Sequence, residues 1–306
     1  MIKDINKMCK TCDIKPVYKT LNDKNLCKSC FIKYFEKKVL KTIRQYNLID
    51  NKDEVAVGLS GGKDSMTCLY IMVRFMKKIG RQVKALLINE GIEGYRNKTI
   101  EDAEKLCKEL KIPLKIVSLK KEFGKSIDDF YKSYKGRPCT PCGIFRRYLL
   151  NKYARNLRAT KLATGHNLDD EAQSIIMNQI KGNMSLSAKL GPSTGVLVHK
   201  KFIRRIKPLY FMTEKEVTVY SYLKKFPLNY IECPYFHNTF RDNVGRMLND
   251  MEVKYPGTKQ SIVNAFIEIL PKLRELYQGQ EIGTCRVCKE PAAKERCKAC
   301  ELLNRT

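Results

Sequence analysis

Glu54-Val-Ala-Val-Gly-Leu-Ser60-Gly-Gly-Lys-Asp-Ser65 is the stretch on which the reading of this chain turns. Its first half is an unbroken apolar run, as in a strand covered on both faces. Its second half is rich in glycine, which lets a backbone approach an anion closely. Residues Asp64 to Lys77 then follow with helical character. The N–H groups at the start of that helix point at whatever the loop binds, and Lys63 adds a positive charge.

Working outward, Val83–Ile88, Leu114–Ser118 and Lys161–Thr164 read as further strands. Thr99–Leu110, Phe145–Arg158 and Asp169–Ile180 read as the helices between and after them. Alternation of this kind predicts an α/β fold with a parallel sheet. Ligands of such sheets sit at the carboxyl ends of the strands. Past about residue 205 the pattern becomes helical, with Thr213–Lys225 and Ser261–Tyr277 as helices. Thr213 with Glu216 three residues on has the form of a capping box.

Both ends of the 306-residue chain carry paired CxxC knuckles: Cys9, Cys12, Cys27 and Cys30, then Cys285, Cys288, Cys297 and Cys300. Their spacing is close to that of zinc ribbons, whose small modules fold around the ion. The expected organisation is a module over 1–34, a catalytic body over 35–280 and a second module over 281–306. The N-terminus has no apolar signal region and no apolar run is long enough to span a bilayer, which predicts a cytoplasmic protein with no membrane association. In that compartment the 13 cysteines read as metal ligands or redox groups. A formal net charge of +27, from 59 Lys+Arg against 32 Asp+Glu, attracts polyanions, nucleic acid above all. Lysine spread along the whole chain also fits a plain solubility surface.

The loop is not a Walker A motif: Asp64 follows Lys63, and only three residues separate Gly58 from Gly62. S-G-G-x-D-S resembles instead the pyrophosphatase loop of the adenylating N-type ATP enzymes. That resemblance implies ATP binding at Ser60, Gly61, Gly62, Lys63, Asp64 and Ser65, cleavage between the α- and β-phosphates, and transfer of AMP to an oxygen.

A further CxxC, Cys139 and Cys142, has no second pair to complete it; Cys233 in Glu232-Cys233-Pro234-Tyr235 is the best candidate to join it. Three thiolates suit an iron–sulfur cubane with one open iron. A redox CxxC and a structural metal site using His237 compete with it. Cys68 and Cys107 read as core residues.

In order, SGGKDS, PCTPCG, Ala163-Thr164-Gly165-His166-Asn167-Leu168-Asp169-Asp170-Glu171-Ala172 and ECPY, between two four-cysteine modules, resemble the TtuA/NcsA family of tRNA uridine 2-thiolases. The similarity covers essentially the whole chain. It implies an adenine-nucleotide α-hydrolase-like (PP-loop) sheet between two zinc modules, in a homodimer. It implies a 4Fe-4S cluster on Cys139, Cys142 and Cys233, whose fourth iron carries the sulfur. Leu87, Ile88 and Asn89 would frame the adenine, near Gly165 and His166. Asp170 and Arg146 match the family's catalytic carboxylate and basic residue, beside Lys63 and Mg²⁺. The partners implied are tRNA and a sulfur donor, either a ubiquitin-like sulfur carrier protein or free sulfide.

The residues themselves leave alternatives. Asp169, Asp170 and Glu171 fill a first helical turn, where the helix dipole alone favours them; the other reading is Mg²⁺ binding or proton handling. Arg146 and Arg147 either meet phosphates or lie on a solvated face. A lysidine-type adenylating enzyme would use the same loop but leave the three cysteines idle. A zinc-finger nucleic-acid binder with a vestigial nucleotide fold would bind tRNA in a salt-sensitive way without releasing AMP. Related enzymes act on the wobble uridine or on the T-loop ribothymidine. Thiolation of the T-loop goes with thermophiles, and this composition lacks a thermophile's character, which points to the wobble position.

Overall fold

The computed structural model describes residues 8–9, 11–133, 136–194, 199–278 and 282–303. The chain opens with a small hairpin, β1 (Tyr18–Lys19) and β2 (Asn25–Leu26), set between the first two cysteine knuckles. Helix α1 (Lys28–Gln45) starts on the second knuckle and continues without a break into the body, burying Phe31, Phe35, Val39 and Ile43. Next come β3 (Val55–Leu59), α2 (Lys63–Lys78), β4 (Val83–Asn89), α3 (Arg96–Leu110) and β5 (Leu114–Ser118). Two short helices, α4 (Leu119–Phe123) and α5 (Ile127–Ser133), lead to α6 (Cys139–Asn156) and β6 (Lys161–Thr164). Helices α7 (Leu168–Ile180) and α8 (Met184–Ser187) precede β7 (Arg204–Ile206). Then follow α9 (Glu214–Leu223), α10 (Phe240–Lys254) and α11 (Thr258–Leu276). A second hairpin, β8 (Gly283–Thr284) with β9 (Pro291–Ala292), and α12 (Lys298–Leu303) complete the described fold.

The main sheet has the order β5-β4-β3-β6-β7, and all its pairs are parallel. Alternate residues of β3 face opposite sides. Val55, Val57 and Leu59 join one apolar cluster with α1, α2, α3 and α9; Ala56 joins another with α6 and the C-terminal module. A third cluster is built by α7, α10 and α11. From β3 the chain winds outward to β4 and β5, then crosses back to β6 on the other side. The order therefore reverses between β3 and β6, and a crevice opens at their carboxyl ends, where sheets of this kind bind ligands. Cys68 and Cys107 lie in the core as expected, and burial raises both thiols above their ordinary value.

Every strand expected in the sheet forms. The sequence reading started α6 at Phe145, whereas the helix begins at Cys139 and carries Cys-Thr-Pro-Cys-Gly in its opening turn. Proline and glycine read as loop there. The first-turn N–H groups of a helix have no intrahelical acceptor, so Pro141 forfeits nothing at that position. Helices α1, α4, α5, α8, α10 and α12 and strands β1, β2, β7, β8 and β9 have no counterpart in the sequence reading. The start of α1 is masked by the metal-knuckle pattern, and β7 is only three residues long.

Candidate active site

Gly61 adopts φ +83° at the tip of the loop that leaves β3. A Cβ there would stand 2.1 Å from the Thr99 carbonyl oxygen, so glycine is required both by conformation and by space. The two loop serines knit the turn together: the Ser60 amide donates to Ser65 Oγ at 3.0 Å, and Ser65 Oγ donates to the Gly62 carbonyl at 3.0 Å. Gly62 is the N-cap of α2 and supplies no side-chain cap, which leaves the first-turn amides for an anion. Gly165, at the end of β6, packs against the start of α2; a Cβ there would lie 2.6 Å from the Asp64 carbonyl carbon. The β3 and β6 loops thus touch and form the floor of a cleft of about 250 Å³. Gly58, Ser60, Asp64, Ser65, Ile88, Arg96, Arg146, Thr164, Gly165, His166 and Asp170 are among the residues lining it.

The three acids that open α7 have separate duties. Asp169 is held by Lys259 of α11 and accepts from the Glu214 amide at 2.7 Å. Glu171 is buried and accepts from Lys207 at 2.6 Å. Asp170 alone lines the cleft. It also completes a capping box with Asn167: the Asp170 amide donates to Asn167 Oδ1 at 3.0 Å, and the Asn167 amide donates back to Asp170 Oδ2 at 3.2 Å. Desolvation, reinforced by the nearby Asp64 carboxylate, raises the Asp170 carboxyl to about 6, with Arg241 opposing. Two carboxylates placed to repel one another beside a phosphate loop form the arrangement that a divalent cation relieves.

Lys207 is buried along with the carboxylate it holds. Lys207→Met should therefore leave Glu171 charged, buried and unpaired, costing about 3–5 kcal/mol of stability. Adding Glu171→Gln should recover part of that loss; urea denaturation of the single and double variants checks both.

A ring of cations surrounds the cleft. The His166 ring opens to the cleft but is crowded by protein on its other sides. That desolvation, together with Lys207, Arg241, Arg205 and Arg146, holds the imidazole well below its ordinary value, so it is neutral near pH 7. Its Nδ1 lies 2.9 Å from Thr164 Oγ1. Lys63 has a different setting from the loop amides. Burial disfavours its charge, but Asp64 at 3.1 Å and Glu214 at 2.9 Å outweigh that and hold the amine firmly protonated. Lys63 is not among the residues lining the cleft as it stands.

Next to the cleft lies a second cavity of about 280 Å³, lined by Cys139, Cys142 and Cys233 with Ile92, Tyr95, Ile127, Pro138, Gly143, Arg146, Tyr235 and Phe236. Its walls are mostly apolar and include no carboxylate. Among the described residues only the two terminal cysteine sets bring three or more ligand atoms within 4.8 Å of one another, so the three central thiols are more widely spread. Thiolates bound to separate irons of a cluster stand further apart than thiolates on one ion. The donor set, the shelter and the spread therefore fit an iron–sulfur cluster better than a single closed metal ion. His237, the alternative fourth ligand, is exposed on the surface, 3.7 Å from the Glu232 carboxylate, and does not line the cavity.

Glu90, just past β4, is a residue the sequence reading passed over. It is 1% exposed and pairs with Arg146 Nε at 2.6 Å and with Arg96 at 2.5 Å. Arg146 in turn donates to Cys142 Sγ at 3.1 Å. A glutamate after an apolar strand, followed by glycine, is an ordinary strand-end pattern; only the pairing reveals it.

At the chain's ends, Cys9, Cys12, Cys27 and Cys30 form one compact thiol set and Cys285, Cys288, Cys297 and Cys300 the other. Hydrogen bonds from the Ser29 hydroxyl and the Cys30 amide lower Cys27 to about 6. At Cys285 burial works the other way, but the amides of Cys288, Cys297 and Val287 prevail and bring it to about 6 as well. Four thiols converging this closely suit one tetrahedral ion per module.

Of the expected adenine-framing residues, Ile88 reaches the cleft, Leu87 packs into the core on the α2 side, and Asn89 accepts from the Gly91 amide at 2.9 Å. Ser60, Asp64, Ser65, Gly165, His166, Asp170 and Arg146 come together at the cleft. Gly61 and Gly62 shape its loop from behind.

Comparison with known proteins agrees with this geometry. Residues 32–244 match the PP-loop domain. The chain is 36% identical to the tRNA-5-methyluridine(54) 2-sulfurtransferase of Pyrococcus horikoshii, over 96% of this chain and 92% of that protein. It is 35% identical to the tRNA 2-thiolation protein NcsA of Haloferax volcanii, over 91% of this chain and 92% of that one. Among solved structures, the U34-tRNA thiolase NcsA of Methanococcus maripaludis, determined with its [4Fe-4S] cluster, superposes with a TM-score of 0.84 at 36% identity, covering 97% of this chain and 96% of that one. Similarity that runs from the first cysteine module through the phosphate loop to the last makes this chain a member of the PP-loop family, within its tRNA 2-thiolation group.

Proposed function

We propose that this protein uses ATP to replace the 2-oxygen of a tRNA uridine, at the wobble position, with sulfur. The observation that carries the reading is Arg146, which lines both the phosphate-loop cleft and the three-cysteine cavity. One residue facing both sites suits chemistry in which an activated base and an incoming sulfur must meet.

In this reading the first-turn amides of α2 receive the β- and γ-phosphates and stabilise departing pyrophosphate. Lys63 would leave Glu214 to meet the same charge. Asp64 and Asp170 would hold Mg²⁺ beside the phosphates. Uridine O2 attacks the α-phosphate, giving an adenylated base. A sulfur nucleophile then attacks C2, and AMP leaves. Cys139, Cys142 and Cys233 would hold a 4Fe-4S cluster, which supplies an iron free of protein ligands on which sulfur can be held. Arg146 would keep the adjoining charge balanced, and the apolar walls would exclude water. His166 stays neutral and contributes no charge to the cleft near pH 7. The sulfur donor would be a thiocarboxylated carrier protein or free sulfide, and the enzyme would work in the cytoplasm as a homodimer. No helix among the described residues is long and apolar enough to cross a membrane.

The terminal modules would each bind one structural Zn²⁺. Cys9→Ser should lower the zinc content from two ions to one and expose the adjoining hairpin to proteolysis, while Cys139→Ser should leave zinc unchanged; elemental analysis with limited digestion separates the two.

The direct test is anaerobic incubation of iron-loaded protein with ATP, sulfide and unmodified tRNA, followed by mass spectrometry of ribonuclease fragments. Wobble 2-thiouridine with stoichiometric AMP is the expected result. Thiolation confined to the T-loop would correct the position, and AMP release without thiolation would overturn the reading.

A further inference from the structure

Five groups form a continuous chain of hydrogen bonds and one ion pair, Arg96 with Glu90, between the two cavities. The Ser60 carbonyl of the phosphate loop accepts from Arg96 at 2.7 Å. Arg96 pairs with Glu90 at 2.5 Å, Glu90 with Arg146 at 2.6 Å, and Arg146 donates to Cys142 Sγ at 3.1 Å. Arg96 is 3% exposed and is pinned further by the Ile88 carbonyl, which accepts from both Nε at 3.1 Å and a terminal nitrogen at 2.6 Å, and by Thr99 Oγ1 at 3.2 Å. This end of the chain is therefore fixed to the strand and the loop. Arg146 is the more exposed end, with 47% of its side chain accessible.

Burying a carboxylate at this depth is costly unless it is paired. A single guanidinium would suffice for that. Here two guanidiniums share one carboxylate, which leaves a surplus positive charge beside both cavities. Arginine's planar fork offers five N–H donors in fixed directions, so fixing Nε on Glu90 dictates where the remaining donors point.

We propose that Glu90 and Arg96 are positioning residues that aim Arg146 at both cavities, so that nucleotide in the cleft and the thiolate-bound group in the cysteine cavity compete for one guanidinium. The inference rests on the ATP and cluster reading above. Because thiolates are anions, loading the cysteine cavity should strengthen the existing hold of Cys142 on Arg146 and weaken nucleotide binding. Linkage then requires that nucleotide disturb the cysteine site by the same factor.

Calorimetric titration of a non-hydrolysable ATP analogue into iron-loaded and iron-free protein tests this. In the wild type the iron-loaded form should bind about fivefold or more weakly. In Glu90→Gln and in Arg96→Lys the two forms should bind within about twofold of each other, because the fork is no longer aimed. A purely structural role would alter iron content or melting temperature but leave the ratio intact, and an intact ratio overturns the proposal. So does a wild-type ratio of one. A readout needing no variant is the electron paramagnetic resonance spectrum of the reduced, iron-loaded wild type. The analogue should shift it, and an unchanged spectrum at saturating analogue refutes the coupling. Failure of the wild type to bind analogue at all, or to hold iron, would instead sink the functional reading on which this one stands.

Discussion

Serine in place of Cys139, Cys142 or Cys233 is expected to abolish tRNA thiolation, by about three orders of magnitude or more, while nucleotide binding stays within a few-fold. The three thiols act as a unit, so removing one should cost nearly as much as removing all, and the losses should not add. Cys139 gives the cleanest test. Its thiol is exposed and donates to the Tyr235 carbonyl at 3.4 Å, a bond a serine hydroxyl can also make. Cys142 is buried and accepts from Arg146, so its variant also perturbs the cleft. Parallel measurements of iron content, analogue affinity and thiolated nucleoside distinguish loss of the cysteine site from loss of the fold. Full thiolation by iron-free Cys139→Ser protein would refute the role assigned to these residues.

Gly61→Ala should be the most damaging added methyl among the described glycines. The left-handed conformation costs an L-residue about 1–2 kcal/mol before any contact is counted. The new Cβ would then meet the Thr99 carbonyl oxygen at 2.1 Å, and that carbonyl belongs to the helix that carries Arg96. Loop and α3 must separate, which breaks the hold of Arg96 on Ser60. Affinity for an ATP analogue is expected to fall about 100-fold, near 2.7 kcal/mol. Gly62→Ala is the control. Gly62 has φ −87°, and its added Cβ would lie 3.6 Å from Ser60 Oγ, an ordinary contact. That variant should lose only a few-fold, and equal losses in the two would show that loop flexibility, not the Thr99 contact, is what matters.

The three acids at the start of α7 show how far local pattern carries. The structure gives the three acids different surroundings. Asp169 and Glu171 are tied to lysines from α11 and from the segment after β7, while Asp170 faces the cleft and caps the helix at once. Consecutive residues on a helix point in directions 100° apart, so three adjacent acids cannot share one task.

By itself the sequence determined the strand–loop–helix of the PP-loop, the parallel order of apolar strands, and the pairing of terminal cysteines into modules. Each is set by neighbours within a few residues: apolar period, glycine at the turn, CxxC knuckles. Only the tertiary structure decided that Cys233 joins Cys139 and Cys142 across some ninety residues of chain, that His237 stays outside, and that Glu90 and Arg96 tie the two cavities together. Charge pairing and cavity walls depend on which segments the sheet brings side by side, and local pattern carries no record of that.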